Sequence, residues 1–276
     1  MRKTTVIIAA LLVLSYLAVA ASAANLANPA SPTPAARISG GVSYYLGGPT
    51  ITLDVPGLTN LEIPTMMNRF SGRITYAPVS YVNFGVDAGT IQIDVDRYIP
   101  NPAIADTVPM FHGNYGWSVG GHIKLSTPYI NDHIGFVGIG NFNYFRSTNT
   151  GGAYYGGNEV IAAAGVQFRL PNNNGTISAG PLYHLISGES KPDTARSASI
   201  ITYSNANNLR LWVAYDFFHK IDGITKNSIP YASLEFTMSP KINGSSRVPV
   251  QEFSVSVSLG AVSERLHGAD RREVRF

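Results

Sequence analysis

The feature that most restricts this chain is an apolar–polar alternation of period two, which begins near Arg37 and recurs along most of the remaining residues. Successive side chains of a β-strand point to opposite faces, whereas a helix repeats every 3.6 residues. A chain written this way is committed to β-structure. Residues 73–89, RITYAPVSYVNFGVDAG, show the unit. Ile74 and Tyr76 alternate with polar neighbours as far as Pro78. Beyond it Val82, Phe84, Val86 and Ala88 alternate with Tyr81, Asn83, Gly85 and Asp87. Two such strips about a short proline-containing turn read as a hairpin.

The same pattern predicts strands elsewhere. Residues 68–77 set Phe70, Gly72, Ile74 and Tyr76 against Arg69, Ser71, Arg73 and Thr75. Residues 114–126 set Tyr115, Trp117, Val119, Ile123 and Leu125 against Ser118, His122 and Lys124. Residues 158–170, 208–218, 229–239 and 250–262 repeat it, the last with Phe253, Val255, Val257 and Leu259 against Ser254, Ser256, Ser258 and Gly260. Segments 37–46, 132–146, 175–187 and 197–204 are weaker, and 132–146 carries apolar residues on both faces. Short turns (APVS, TPYIND, PNNNG, NANN) alternate with longer loops at 47–66, 96–112, 147–157, 188–196 and 219–228. Hairpins with one tight and one loose end produce that rhythm.

Residues 1–23 read as a cleaved export signal: Arg2 and Lys3, the apolar run VIIAALLVLSYLAVA, then Ala21-Ser22-Ala23. Residues 24–36 read as a Pro/Ala-rich linker, and 37–276 as one β-domain. Charged residues make up 13%, about half of the ~25% usual in soluble domains. There is no cysteine, which excludes disulfide scaffolds and thiolate metal sites. Without the two signal cations the net charge of +3 falls to +1, and no basic stripe suggests nucleic acid.

Alternation serves a soluble sandwich and a membrane barrel equally. The segments are longer than the ~5–6 residues of a typical strand and match the ~9–11 of a tilted transmembrane strand. Aromatics gather near strand ends, as at Tyr44, Tyr45, Tyr76, Tyr81, Tyr144, Phe145, Phe217 and Tyr231, where a bilayer meets water. On the signal, the ITYAPVSYVNFGV hairpin, the dyad strands and a terminal Phe276, the chain resembles bacterial outer-membrane β-barrel proteins. The resemblance implies an all-β, closed, antiparallel up-and-down barrel in the bacterial outer membrane. It implies lipid and lipopolysaccharide around the barrel, and recognition by the barrel-assembly machinery through Phe276. Parity requires an even strand count; about twelve is preferred, with a short closing strand at 271–276, and ten is the alternative.

If the polar face lines the bore, it carries Arg69, Arg73, Asp87, His122, Lys124, Arg169, His184, Arg210, Asp216 and Glu235. These residues suit either a narrow, porin-like passive channel for small solutes or an internal salt-bridge network. The alternative function is a closed barrel whose outer loops bind a ligand or partner. A lipid hydrolase is a further alternative. His184 and Ser187 in YHLIS are three apart in a strand and so on opposite faces. TYSNA resembles the His-x-Ser-Asn stretch of lipid A deacylases, but Thr202 stands at the histidine position and supplies no general base. No catalytic residue, metal ligand or cofactor is expected.

Overall fold

Ten strands form the wall. They are β1 (Arg37–Gly47), β3 (Leu58–Val79), β4 (Val82–Val95), β6 (Asn114–Ser126), β7 (Ile134–Thr148), β8 (Tyr154–Arg169), β9 (Thr176–Lys191), β11 (Leu209–Phe218), β12 (Ser228–Met238) and β13 (Phe253–Ser263). Each pairs antiparallel with its neighbours, and β13 returns to β1, so the ring closes without an edge. Closure is also what leaves no unpaired backbone facing lipid. The computed structural model describes residues 37–55, 58–95, 110–171, 175–191, 200–206, 208–218, 228–239 and 252–263. The expected signal, linker and terminal Phe276 lie outside them.

Ten is the smaller of the two expected counts. The preferred twelve needed a closing strand at 271–276 and an independent one at 197–204. The first lies outside the described residues, and β13 already closes the ring. The second belongs to a neighbouring strand. Three short segments, β2 (Thr50–Val55), β5 (Phe111–His112) and β10 (Ile201–Asn205), continue ring strands. Against β3, β1 pairs Gly47 with Met67 and β2 pairs Thr50 with Pro64, one unbroken register across Gly48-Pro49. Against β9, β10 and β11 differ in register by one residue. NANN is therefore an interruption within one strand and reverses nothing. β5 leads into β6 through Gly113 in the same way.

The β3–β4 hairpin turns at Ser80-Tyr81, with Val79 opposite Val82. Pro78 sits just before it, where Ala77 and Pro78 form a bulge. A proline has no N–H to give a ladder, so a bulge tolerates it. In the next tight connection Asn131 and Asp132 take positive φ of 50° and 61°, a geometry these two residue types adopt more readily than others. The start of β1 and the end of β13 lie at this tight-turn end.

Strand lengths divide the wall into two storeys. β12 and β13 stop at Met238 and Phe253, and above them β2 pairs directly with β10. The lower storey thus has ten strands and the upper eight. β3 alone has 22 residues, about twice what a bilayer crossing needs. Side-chain polarity inverts at the boundary, and β4 shows it within one strand. Val82, Phe84, Val86 and Ala88 face outward and Asn83 and Asp87 inward. Further up, Thr90, Gln92 and Asp94 face outward and Ile91, Ile93 and Val95 are buried within. The lower storey is apolar outside and the upper storey apolar inside.

Candidate interior polar network

The sheet's parity places all ten sequence-predicted residues on the inner face of the wall. Nine are buried, and Arg169, near the tight-turn mouth, is half-buried. Arg169 stacks its guanidinium over the Tyr129 ring, 5.4 Å from its centre. Burial raises the Tyr129 hydroxyl above its ordinary pKa, against the opposing pull of Thr176 and Arg169. Eight of the others join into three clusters, and Glu235 is buried on the same inner face.

One is a triad that spans the bore. Arg69 on β3 donates from Nη1 to Glu159 Oε2 on β8 at 2.6 Å. His184 Nε2 on β9 lies 2.8 Å from Glu159 Oε1, and Asn143 Nδ2 donates to Oε2 at 3.1 Å. The Arg69 guanidinium also lies over the Tyr45 ring at 5.3 Å. Nearest the tight turns, Arg73 donates to Asp87, its neighbour in register across β3 and β4. Asp87 Oδ2 meets His122 Nδ1 at 2.8 Å, and His122 Nε2 meets Thr75 Oγ1 at 3.0 Å. A carboxylate accepts from Nδ1–H, so Nε2 is left to accept from the threonine hydroxyl. Lys124 interacts electrostatically with Asp216, which also accepts from the Ser233 hydroxyl.

The third cluster marks the storey boundary. Glu252 accepts from Arg210 Nη2 at 2.7 Å through one oxygen and from the Thr50 backbone N–H at 2.9 Å through the other. Its own carbonyl accepts from Ser239 N–H. One carboxylate therefore ties the tops of β12 and β13 to β2 and β11. Beside it the Asn205 side chain accepts from Ile186 N–H and donates to the His184 carbonyl. It stands in for the β9 ladder bonds that the interruption between β10 and β11 removes.

Sequence reasoning missed Glu159 and Glu252. Both were accessible by parity, since Glu159 shares a face with Gln167 and Arg169, and Glu252 with Ser254. With them, the buried charges among the described residues are four basic and five acidic, leaving the histidines aside. The buried charge of the lining is thus nearly balanced. His184 is buried and Ser187 lies on the outer face, as their spacing predicted.

Two apolar clusters fill the space around these pairs. In the upper storey Tyr45, Ile51, Leu53, Ile63, Met67, Ile91, Ile93, Val95, Phe111, Phe145, Tyr155, Ile186 and Tyr203 pack together, all at 5% exposure or less. A smaller group, including Val137, Ile139, Ile161, Leu182 and Trp212, fills one side of the lower bore. The outer wall at that height shows Ile74 at 60% and Val86 at 62%. In water so continuous an apolar surface would drive aggregation, and a bilayer is the solvent that suits it. The architecture is that of an outer-membrane β-barrel.

No protein-family model matches the chain, and no curated protein matches it. Solved structures of similar fold include the outer membrane protease OmpT from Escherichia coli, at 11% identity and TM-score 0.44, covering 84% of this chain and 97% of that one. They also include the translocator domain of autotransporter NalP from Neisseria meningitidis, at 11% and 0.46, covering 84% and 89%. A third is the COG4313 outer membrane channel from Pseudomonas putida F1, at 11% and 0.39, covering 86% and 98%. Their names describe three different activities, and likeness at this level carries none of them over.

Proposed function

We propose that this protein is a bacterial outer-membrane barrel with a closed resting bore, tight turns towards the periplasm and the eight-stranded storey projecting outward. Its function then resides in the outward storey and its loops, which meet ligands or partners above the lipid and lipopolysaccharide surface. The observation that carries this reading is the apolar core of the upper storey. Eight strands make a barrel just wide enough for side chains to fill, and here Phe111, Tyr155 and Tyr203 pack within it as tilted rings, at centroid distances of 4.7 and 5.7 Å. The ion pairs beneath act as a support that satisfies buried charge. The hydroxyl–imidazole–carboxylate chain of Thr75, His122 and Asp87 follows the order that activates a nucleophile, but Arg73 holds its carboxylate and Thr75 is 7% exposed. Its role is structural, and we assign no catalysis to it.

The passive-channel reading has one observation in its favour, the belt of charged and polar side chains inside the membrane storey. It requires displacement of the apolar core above. Planar-bilayer recording after verified insertion separates the two. A closed resting bore gives a quiet baseline, and a steady, voltage-independent conductance in every inserted wild-type molecule would overturn it in favour of a passive channel.

A further inference from the structure

Resting on that closed-bore reading, the geometry points to the β2–β10 seam as a lateral gate of the upper storey, latched by Glu252. The seam holds four residue pairs, Ile51–Asn205 to Asp54–Thr202, and its ladder does not continue into the lower storey, whereas that of β7 and β8 runs through both storeys with fifteen. Each side joins its membrane strand through a break in the ladder, Gly48-Pro49 on one side and the one-residue register shift between β10 and β11 on the other. The seam can therefore part with β2 still paired to β3 and β10 to β9, leaving the ladder in the bilayer in place. Among the described residues no strand runs between β2 and β10, because β12 and β13 end beneath the seam. Opening would uncover the bore sideways, just above the outer rim of the apolar belt, and would withdraw Ile51, Leu53 and Tyr203 from the core.

What holds the seam shut is concentrated at its foot. Ala206 N–H donates to the Thr50 carbonyl at 2.8 Å. The Thr50 N–H and Arg210, on opposite sides of the seam, are joined through the single carboxylate of Glu252. Removing that carboxylate leaves a backbone N–H and a guanidinium unpaired in a water-poor site, which favours the arrangement that exposes them.

The test combines a variant with a cross-link. Thr52 and Ser204 are register partners on the outer face, and such partners have Cα separations of ~4.5–5.5 Å, within disulfide reach. In a planar bilayer E252A should raise open probability at least about tenfold, a modest population shift. Oxidising T52C/S204C in the E252A background should silence the openings, and reductant should restore them. Openings that persist when the cross-link is formed, or an inserted E252A that stays silent, would overturn the gate. Steady wild-type conductance insensitive to the cross-link would instead overturn the closed-bore reading. Should E252A fail to assemble, hydrogen exchange on the wild type decides the matter. Seam amides at Thr52 and Ser204, a pair that faces across the seam, should exchange at least about tenfold faster than the Ser147–Tyr155 pair in the same storey, as expected of a locally opening unit. Equal protection would refute the gate.

Discussion

Arg69→Met asks whether the bore contains water. Arg69 and Glu159 are 1% and 0% exposed and lie 2.6 Å apart. Removing one partner of a buried pair strands the other charge and costs ~3–5 kcal/mol. In a water-filled bore the same pair would be solvent-screened and worth ~0–1 kcal/mol. The two readings differ by more than the error of an unfolding measurement. With a urea slope of about 2 kcal/mol per molar, a loss of ~4 kcal/mol lowers the midpoint by about 2 M. The measurement is equilibrium urea unfolding of the barrel folded into phospholipid vesicles, followed by tryptophan fluorescence, since Trp212 lies inside the wall and reports on the interior. Glu159→Leu should cost about as much as Arg69→Met, because it also releases His184 and Asn143. The double variant buries no lone charge and should cost less than either single one. A loss under ~1 kcal/mol for Arg69→Met, with a double variant equal to the sum of the singles, would refute the packed bore.

Three further outcomes are expected of the two-storey wall. Val257→Arg places a charge on the lipid face of β13 and should cost ~2–4 kcal/mol, visible as a reduced yield of the heat-modifiable folded band; normal assembly would contradict the outward placement. Ala88→Arg should impair assembly similarly while Gln92→Arg, four residues up the same face of β4, should be neutral, and equal effects would remove the storey boundary. Ile93→Ala deletes a side chain that is 2% exposed and should cost ~2–5 kcal/mol in the vesicle unfolding assay; a loss below ~0.5 kcal/mol would mean the upper core is loosely packed.

Much of this was legible in the residues alone. Arg69, Arg73, His122, Lys124, Arg210 and Asp216 fell on the inner face because parity is a local property of an extended backbone. Glu159 and Glu252 obeyed the same parity and were passed over because apolar neighbours, Ile161 and Ala163 in one case, diluted the signal. The polarity inversion was also written in β4, where Ile91, Ile93 and Val95 share a face with Asp87. The continuation of β1 into β2 could not be read, because Gly48-Pro49 looks like any loop until β3 supplies the register.

The sequence by itself determined that the chain is β throughout, which side chains share a face, and where each strand changes its preference from lipid to water. Those features come from a two-residue period and from the transfer energy of single side chains. Only the tertiary structure decided that ten strands close the ring, that β12 and β13 stop short so that eight close it above, and that Arg69 meets Glu159 across the bore. Closure fixes the diameter, and the diameter decides which inward side chains touch. Pairing across a bore joins residues 90 apart in the chain, and no local pattern encodes that distance.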